Sequence, residues 1–202
     1  MRTLVAGSVL LGCCGLVGAQ LPKPPDPRYG LTGRVEQFPQ GNPKAALKSA
    51  LALIENGDYA YLVAHVLEPK MVDELVAARS KSYEAEAERE LAQLRDFQRA
   101  NPDKIAVADR VPLDPKEFRV MAAVKARDRG FKQLQRDIAD KLRDDPQALK
   151  DMRRLAREGT VAEADPAATV SHEAVKGRTL YLKKVGDRWF LENRTSDEKK
   201  DP

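Results

Sequence analysis

One short stretch near the C-terminal end, residues 177–193, constrains the fold most, because it has the clearest β-strand pattern of the chain. Gly186-Asp187 separates two alternating apolar runs, which is the signature of a hairpin with a two-residue turn. Pairing across that turn places Leu182 opposite Leu191 and Lys184 opposite Trp189. One face of the hairpin is therefore predicted to hold four apolar side chains that face the core: Leu180, Leu182, Trp189 and Leu191.

Two further strand segments precede this hairpin. Residues 160–164 and 168–174 read as strands, with Asp165-Pro166 as the turn between them. A three-residue turn at Val175-Lys176-Gly177 would place alternate residues of the second segment on the core face, namely Val170, His172 and Ala174. A two-residue turn would place the same residues on the opposite face, because side chains alternate along a strand.

The rest of the chain has the apolar spacing of helices. Asn42-Pro43, Asp114-Pro115 and Asp145-Pro146 each place a capping side chain before a proline at the first helical position. Gly130 is expected to weaken the helix in which it lies. The sequence thus predicts an α+β fold, with N-terminal and central helices packed on a small C-terminal antiparallel sheet of about three strands. We expect one domain over residues 42–194, with a long helical middle at 69–158.

The N-terminal residues 1–19 have the pattern of a signal peptide, with Arg2 before an apolar run and a cleavage site before Gln20. The sequence thus predicts export, to a bacterial periplasm, the cell envelope or the medium. The alternative is a lipid anchor on Cys13, since Leu10-Leu11-Gly12-Cys13 resembles a lipobox. Residues 20–41 are rich in proline and are predicted to be a flexible linker, and residues 195–202 a disordered tail.

Charge argues against general binding of nucleic acid, because the formal net charge is only +4 for 202 residues. After residue 19 we expect no segment that could span a membrane. One predicted helix carries a basic stripe, formed by Arg129, Lys132, Arg136 and Arg143. The stripe has two interpretations. It could bind an anionic surface, or it could be a solvated face partly paired with the acidic helix at residues 82–100. We favour the second, because no aromatic residues lie between the basic ones.

The order of these segments resembles a known superfamily. Asn42-Pro43 with its amphipathic run, Gly57-Asp58-Tyr59 opening a short helix, and a terminal meander through Trp189 are similar to nuclear transport factor two-like (SnoaL-like) domains over about 42–68 and 160–194. The resemblance implies a cone-shaped α+β domain, in which helices and a curved sheet enclose a cavity. It also implies that an Asp or His inside the cone could be catalytic, as in isomerases and dehydratases of the superfamily.

Few residues are candidates for chemistry. His172 is the candidate general base, and only in the register that turns it to the core face. His65 and Glu68 are spaced as two metal ligands on a short helix, but two ligands make a poor site and a structural histidine is favoured. The sequence has no phosphate-binding loop and no zinc motif. It therefore predicts no cofactor and no metal.

Three functional hypotheses follow. The favoured one is an exported, non-catalytic domain that binds a small apolar ligand or a protein partner over Leu180, Leu182, Trp189 and Leu191. The second is an isomerase or dehydratase in which His172 acts as general base. The third is a structural protein that self-associates through its charged helices, as a homo-oligomer.

Overall fold

The computed structural model describes residues 26–106 and 109–192, and the fold is α+β, as the sequence predicts. The predicted signal peptide, the start of the predicted linker and the predicted tail lie outside the described residues. The α-helices are α1 (Pro43–Glu55), α2 (Tyr59–Tyr61), α3 (Pro69–Ser80), α4 (Glu84–Ala100), α5 (Pro115–Asp144) and α6 (Pro146–Glu158). A π-helical turn, Leu62–Val66, continues α2, and a 3-10 turn, Lys81–Tyr83, joins α3 to α4. The strands are β1 (Thr160–Ala164), β2 (Ala167–Ser171), β3 (Leu180–Val185) and β4 (Arg188–Glu192).

The predicted helix starts are confirmed by their caps. The Asn42 side chain accepts a hydrogen bond from the backbone N–H of Ala45 at 2.8 Å. Asp114 and Asp145 cap α5 and α6 in the same way, and a proline follows each cap. These side chains satisfy N–H groups that have no partner within the helix, which fixes where each helix begins.

The strands form one antiparallel sheet in the order β1-β2-β3-β4. The predicted hairpin register is confirmed, with Leu182 opposite Leu191 and Lys184 opposite Trp189. Gly186 has a positive φ of 59°, as a two-residue hairpin turn requires. The sheet has four strands, where we expected about three.

The predicted turn between β2 and β3 is wrong. β2 ends at Ser171, and an irregular loop of residues 172–179 replaces the three-residue turn. Ala168 pairs with Leu182, so the register differs by two residues from the expected one and Val170 stays on the core face. His172 and Ala174 lie beyond the strand and do not share that face. The loop is stabilised by burial of Val175, whose N–H donates to the His172 carbonyl at 2.9 Å.

The expectation for Gly130 was incomplete. Helix α5 runs through Gly130 without interruption. A Cβ at this position would lie 2.6 Å from Ser80 Oγ and 2.9 Å from the Val76 carbonyl oxygen, both on α3. The glycine therefore costs helix propensity but permits close packing of α3 on α5.

Residues 26–41, which we call the N-terminal strap, pack on the domain rather than forming the predicted flexible linker. The Tyr29 ring stacks on Phe131 with a centroid distance of 4.2 Å, and the Phe38 ring is buried against Tyr61. Gln40 covers the outer edge of β4, since its carbonyl accepts from the N–H of Trp189 at 2.9 Å. An uncovered strand edge exposes unpaired backbone groups, so this pairing stabilises the end of the sheet.

The basic stripe of α5 is largely neutralised. Arg129 contacts Glu86 and Glu90 of α4, at 3.3 and 2.5 Å. Lys132 and Arg143 pair with Asp128 and Asp140 on α5, and Arg136 donates to Gln133. Hydrogen bonds from Arg129 and Lys125 lower the pKa of Glu90 to about 2. The contacts of Arg129 agree with the favoured interpretation of a solvated face partly paired with the acidic helix, and binding of an anionic surface stays a hypothesis.

Candidate functional site

The four residues predicted to form a ligand-binding floor are mostly part of the closed core. Leu182 and Trp189 are buried in the main core cluster, and Leu180 packs against it. Leu47 and Leu53 of α1 and Leu155 of α6 belong to the same cluster. Residues of α1 and α6 therefore share the buried core with the centre of the sheet. Leu191 is the one predicted residue that lines a groove.

That groove lies where α1, α3, α5 and α6 meet the end of β4, and we call it the apolar groove. Its volume is ≈ 310 Å³. Eleven of the lining residues are aliphatic or methionine: Ala50, Ile54, Leu62, Leu67, Met71, Leu75, Leu134, Ile138, Leu142, Met152 and Leu191. The other four are charged: Arg79, Asp137, Lys141 and Glu192.

The charged lining residues include one ion pair that ties α3 to α5. Arg79 contacts Asp137 at 2.8 Å and also donates to the Leu75 carbonyl. Gln133 donates to the other carboxylate oxygen of Asp137 at 2.7 Å. Partial burial raises the pKa of Asp137, but the hydrogen bonds from Gln133 and Arg79 outweigh it, so the pKa is lowered. Asp137 is therefore a charged, well-paired carboxylate and a weak base.

The groove residues were visible in the sequence as an apolar stripe, but not as a site. Leu134, Ile138 and Leu142 recur at every fourth position of α5, which is the pattern of a buried helix face. A stripe that another helix covers and a stripe that borders a groove have the same spacing. Which of the two applies depends on how far α3 and α6 stand apart, and single-helix periodicity carries no such information.

His172, the candidate general base, lies in the loop between β2 and β3 and does not line the apolar groove. Its Nδ1 accepts the N–H of Ala174 at 3.1 Å, and its Nε2 lies 3.5 Å from a Glu158 carboxylate oxygen. A general base in the predicted cavity would have to face that cavity. The position of His172 therefore gives the enzyme hypothesis no support.

His65 and Glu68, the weak metal-ligand candidates, each have structural partners. His65 Nε2 lies 2.9 Å from the Leu31 carbonyl of the strap. Glu68 accepts from the Met71 N–H at 2.6 Å and pairs with Lys183 at 3.1 Å. Within residues 26–106 and 109–192, no group of three or more His, Cys, Asp or Glu is placed to hold a metal ion.

Stability is expected to depend on pH through His65. Burial lowers the pKa of His65 from its ordinary value of 6.5; the Leu31 hydrogen bond opposes this shift, and nearby Arg188, Arg28 and Arg34 reinforce it. The unfolded chain therefore binds a proton first as the pH falls. We expect the free energy of unfolding to fall as the pH drops below about 6.5 towards the lowered pKa, and to be unaffected by His65 above that.

Urea unfolding between pH 7.5 and pH 5 measures this dependence. The carboxyl groups with shifted pKa titrate at about pH 4 and below, so they stay charged over this range. The matched variant is His65→Gln, which has no titrating ring. Its unfolding free energy should change less over this range than that of the wild type. An equal change in both proteins would contradict the assignment to His65.

A second apolar surface lies around the start of α5. Leu113, Val120 and Val124 are exposed large apolar residues, with exposures of 61%, 63% and 63%. Val120 and Val124 border a shallow surface depression with Lys116 and Glu117. Self-association of the protein through its charged helices stays a prediction.

Comparison of the chain with models of protein families, with curated proteins and with solved structures finds no match. Among the helices in the described parts of the chain, none combines the length and the apolar character that crossing a membrane requires.

Proposed function

We propose that the protein is a non-catalytic binding protein that holds a small apolar ligand in the apolar groove. The observation that carries this proposal is the groove itself, whose volume of ≈ 310 Å³ lies at the lower end of the range of about 300–1,000 Å³ for ligand pockets. Water gains few hydrogen bonds from a lining made mostly of aliphatic side chains. An apolar ligand that displaces this water therefore binds favourably.

The chemistry of the groove supports binding rather than catalysis. Asp137 of the lining is held by Arg79 and Gln133 and has a lowered pKa. A general base works best when its pKa lies near the working pH, so this carboxylate is poorly suited to that role. Active sites combine several cooperating groups, and the lining supports no such assignment.

We also propose that the protein is exported and that its domain is nuclear transport factor two-like. Export is supported by the signal-peptide pattern of residues 1–19. The superfamily proposal is supported by the order of elements, with helices first and an antiparallel meander last, and by a cavity bordered by both. A lipid anchor at Cys13 is the alternative to cleavage before Gln20, and mass spectrometry of the mature N-terminus distinguishes the two.

Filling the groove should abolish binding. Leu75 is half-buried and lines the groove from α3, so Leu75→Trp places a large ring in the ligand space. We expect the affinity for decanol, measured by isothermal titration calorimetry, to fall by more than about tenfold. The reason is steric, because the indole occupies volume that the ligand needs.

The control is Leu113→Trp, which adds the same ring at a position that is 61% exposed and does not line the groove. Its affinity for decanol should match that of the wild type. Urea unfolding of both variants shows that each is folded. Equal affinity in the two variants, or no binding of decanol by the wild type, would refute the proposed function.

A further inference from the structure

Resting on the proposed function, we infer that the ligand is a single unbranched aliphatic chain with an anionic head group, such as a free fatty acid, whose carboxylate pairs with Lys141. Three features of the groove support this class of ligand. They are the chemistry of its lining, its shape along α5, and the charges beside it.

The lining favours an aliphatic ligand over an aromatic one. None of the residues that line the groove has an aromatic side chain. Aromatic ligands gain affinity when they stack on aromatic side chains, and this groove offers no ring for stacking. Met71 on α3 and Met152 on α6 lie in the lining. Methionine side chains are flexible and polarizable, so they adapt to a chain with many rotatable bonds.

The shape of the groove favours one extended chain. Leu134, Ile138 and Leu142 border it on successive turns of α5. Eight residues of helix rise by about 12 Å, so the lining residues of α5 are spread along the helix over roughly that length. A volume of ≈ 310 Å³ is at the small end for ligand pockets, which suits a single chain better than a two-chain phospholipid.

The charges favour an anionic head group on the α5 side. Arg79 is already paired with Asp137. Lys141 is exposed and lies between Ile138 and Leu142 in the sequence. Among the described residues no carboxylate forms a close ion pair with it, but its charge helps to lower the pKa of Asp137, one turn earlier on α5. Glu192, the second carboxylate of the lining, lies at the end of β4 and not on α5. A carboxylate beside Lys141 therefore gives this flexible cation a close ion pair, where Asp137 interacts with it only at longer range.

Calorimetric titration with three ligands of equal chain length tests this inference: decanoate, decanol and decyltrimethylammonium. The wild type should bind decanoate about two- to fivefold more tightly than decanol, which is the gain expected of an exposed ion pair. The cationic ligand should bind most weakly. In Lys141→Gln, the affinity for decanoate should fall to that for decanol, and the affinity for decanol should not change.

The outcomes separate this inference from the proposed function. If no ligand binds the wild type, the proposed function fails. If decanol and decanoate bind equally in the wild type and in Lys141→Gln, the groove binds apolar ligands but the anionic head group is refuted. Tighter binding of naphthalene than of decanol would refute the aliphatic chain. Co-sedimentation with phosphatidylglycerol vesicles that Leu75→Trp abolishes would refute a free fatty acid in favour of a membrane lipid.

Discussion

Replacing Phe38 with alanine is expected to lower the free energy of unfolding by about 3–5 kcal/mol, the usual cost of truncating a buried phenylalanine. Phe38 belongs to the N-terminal strap and is only 5% exposed. Its ring centroid lies 5.1 Å from that of Tyr61, and both belong to the main core cluster. The substitution removes these contacts and leaves a cavity that the surrounding helices fill only in part.

The control is Gln37→Ala, which truncates the preceding residue, whose side chain is exposed. We expect this change to alter stability by no more than about 0.5 kcal/mol. Urea unfolding followed by circular dichroism measures both variants. A cost for Phe38→Ala as small as that for Gln37→Ala would show that the strap is the flexible linker that the sequence predicts.

The strap could not be predicted from the sequence because its contacts are distant along the chain. Its prolines correctly exclude a helix, but they do not prevent one aromatic side chain from being buried. Gln40 donates to the Trp189 carbonyl across 149 positions of sequence. Local composition cannot reveal such a pairing, because the need to cover the edge of β4 arises only after the sheet has formed.

The last hairpin was predictable in detail because it is local. The Gly186-Asp187 turn and the alternation on each side fix the register, and Leu182 does pair with Leu191. The loop before it was not predictable in the same way, because burial of Val175 competes with continued pairing of β2 and β3. The predicted face of Val170 was still correct, since a shift of two residues leaves side chains on the same face.

The apolar groove required knowledge of how the helices are spaced. The sequence indicates which side of α5 is apolar, but an apolar side serves core packing and ligand binding equally well. The predicted floor of the cavity lies under α1 and α6, so the groove formed beside it, at the end of β4. Leu191 belongs to both the predicted floor and the groove because it lies near that end.

Replacing Leu182 with alanine is expected to lower the free energy of unfolding by about 2–5 kcal/mol. Leu182 lies at the centre of the sheet and is 0% exposed. It packs in the cluster that joins the sheet to α1 and α6. Thermal or urea unfolding measures the loss, and Val185→Ala on the same strand is the control. Val185 is 43% exposed, so its truncation should cost far less.

The same variant distinguishes a core residue from a ligand-binding residue. If Leu182 is part of the core, the folded fraction of Leu182→Ala should bind decanol with the affinity of the wild type, because Leu182 does not line the apolar groove. If the sheet face itself is the floor of the site, decanol affinity should fall while stability changes little. Measuring both quantities on one variant thus decides whether the ligand lies over the sheet or beside it, between α3, α5 and the end of β4.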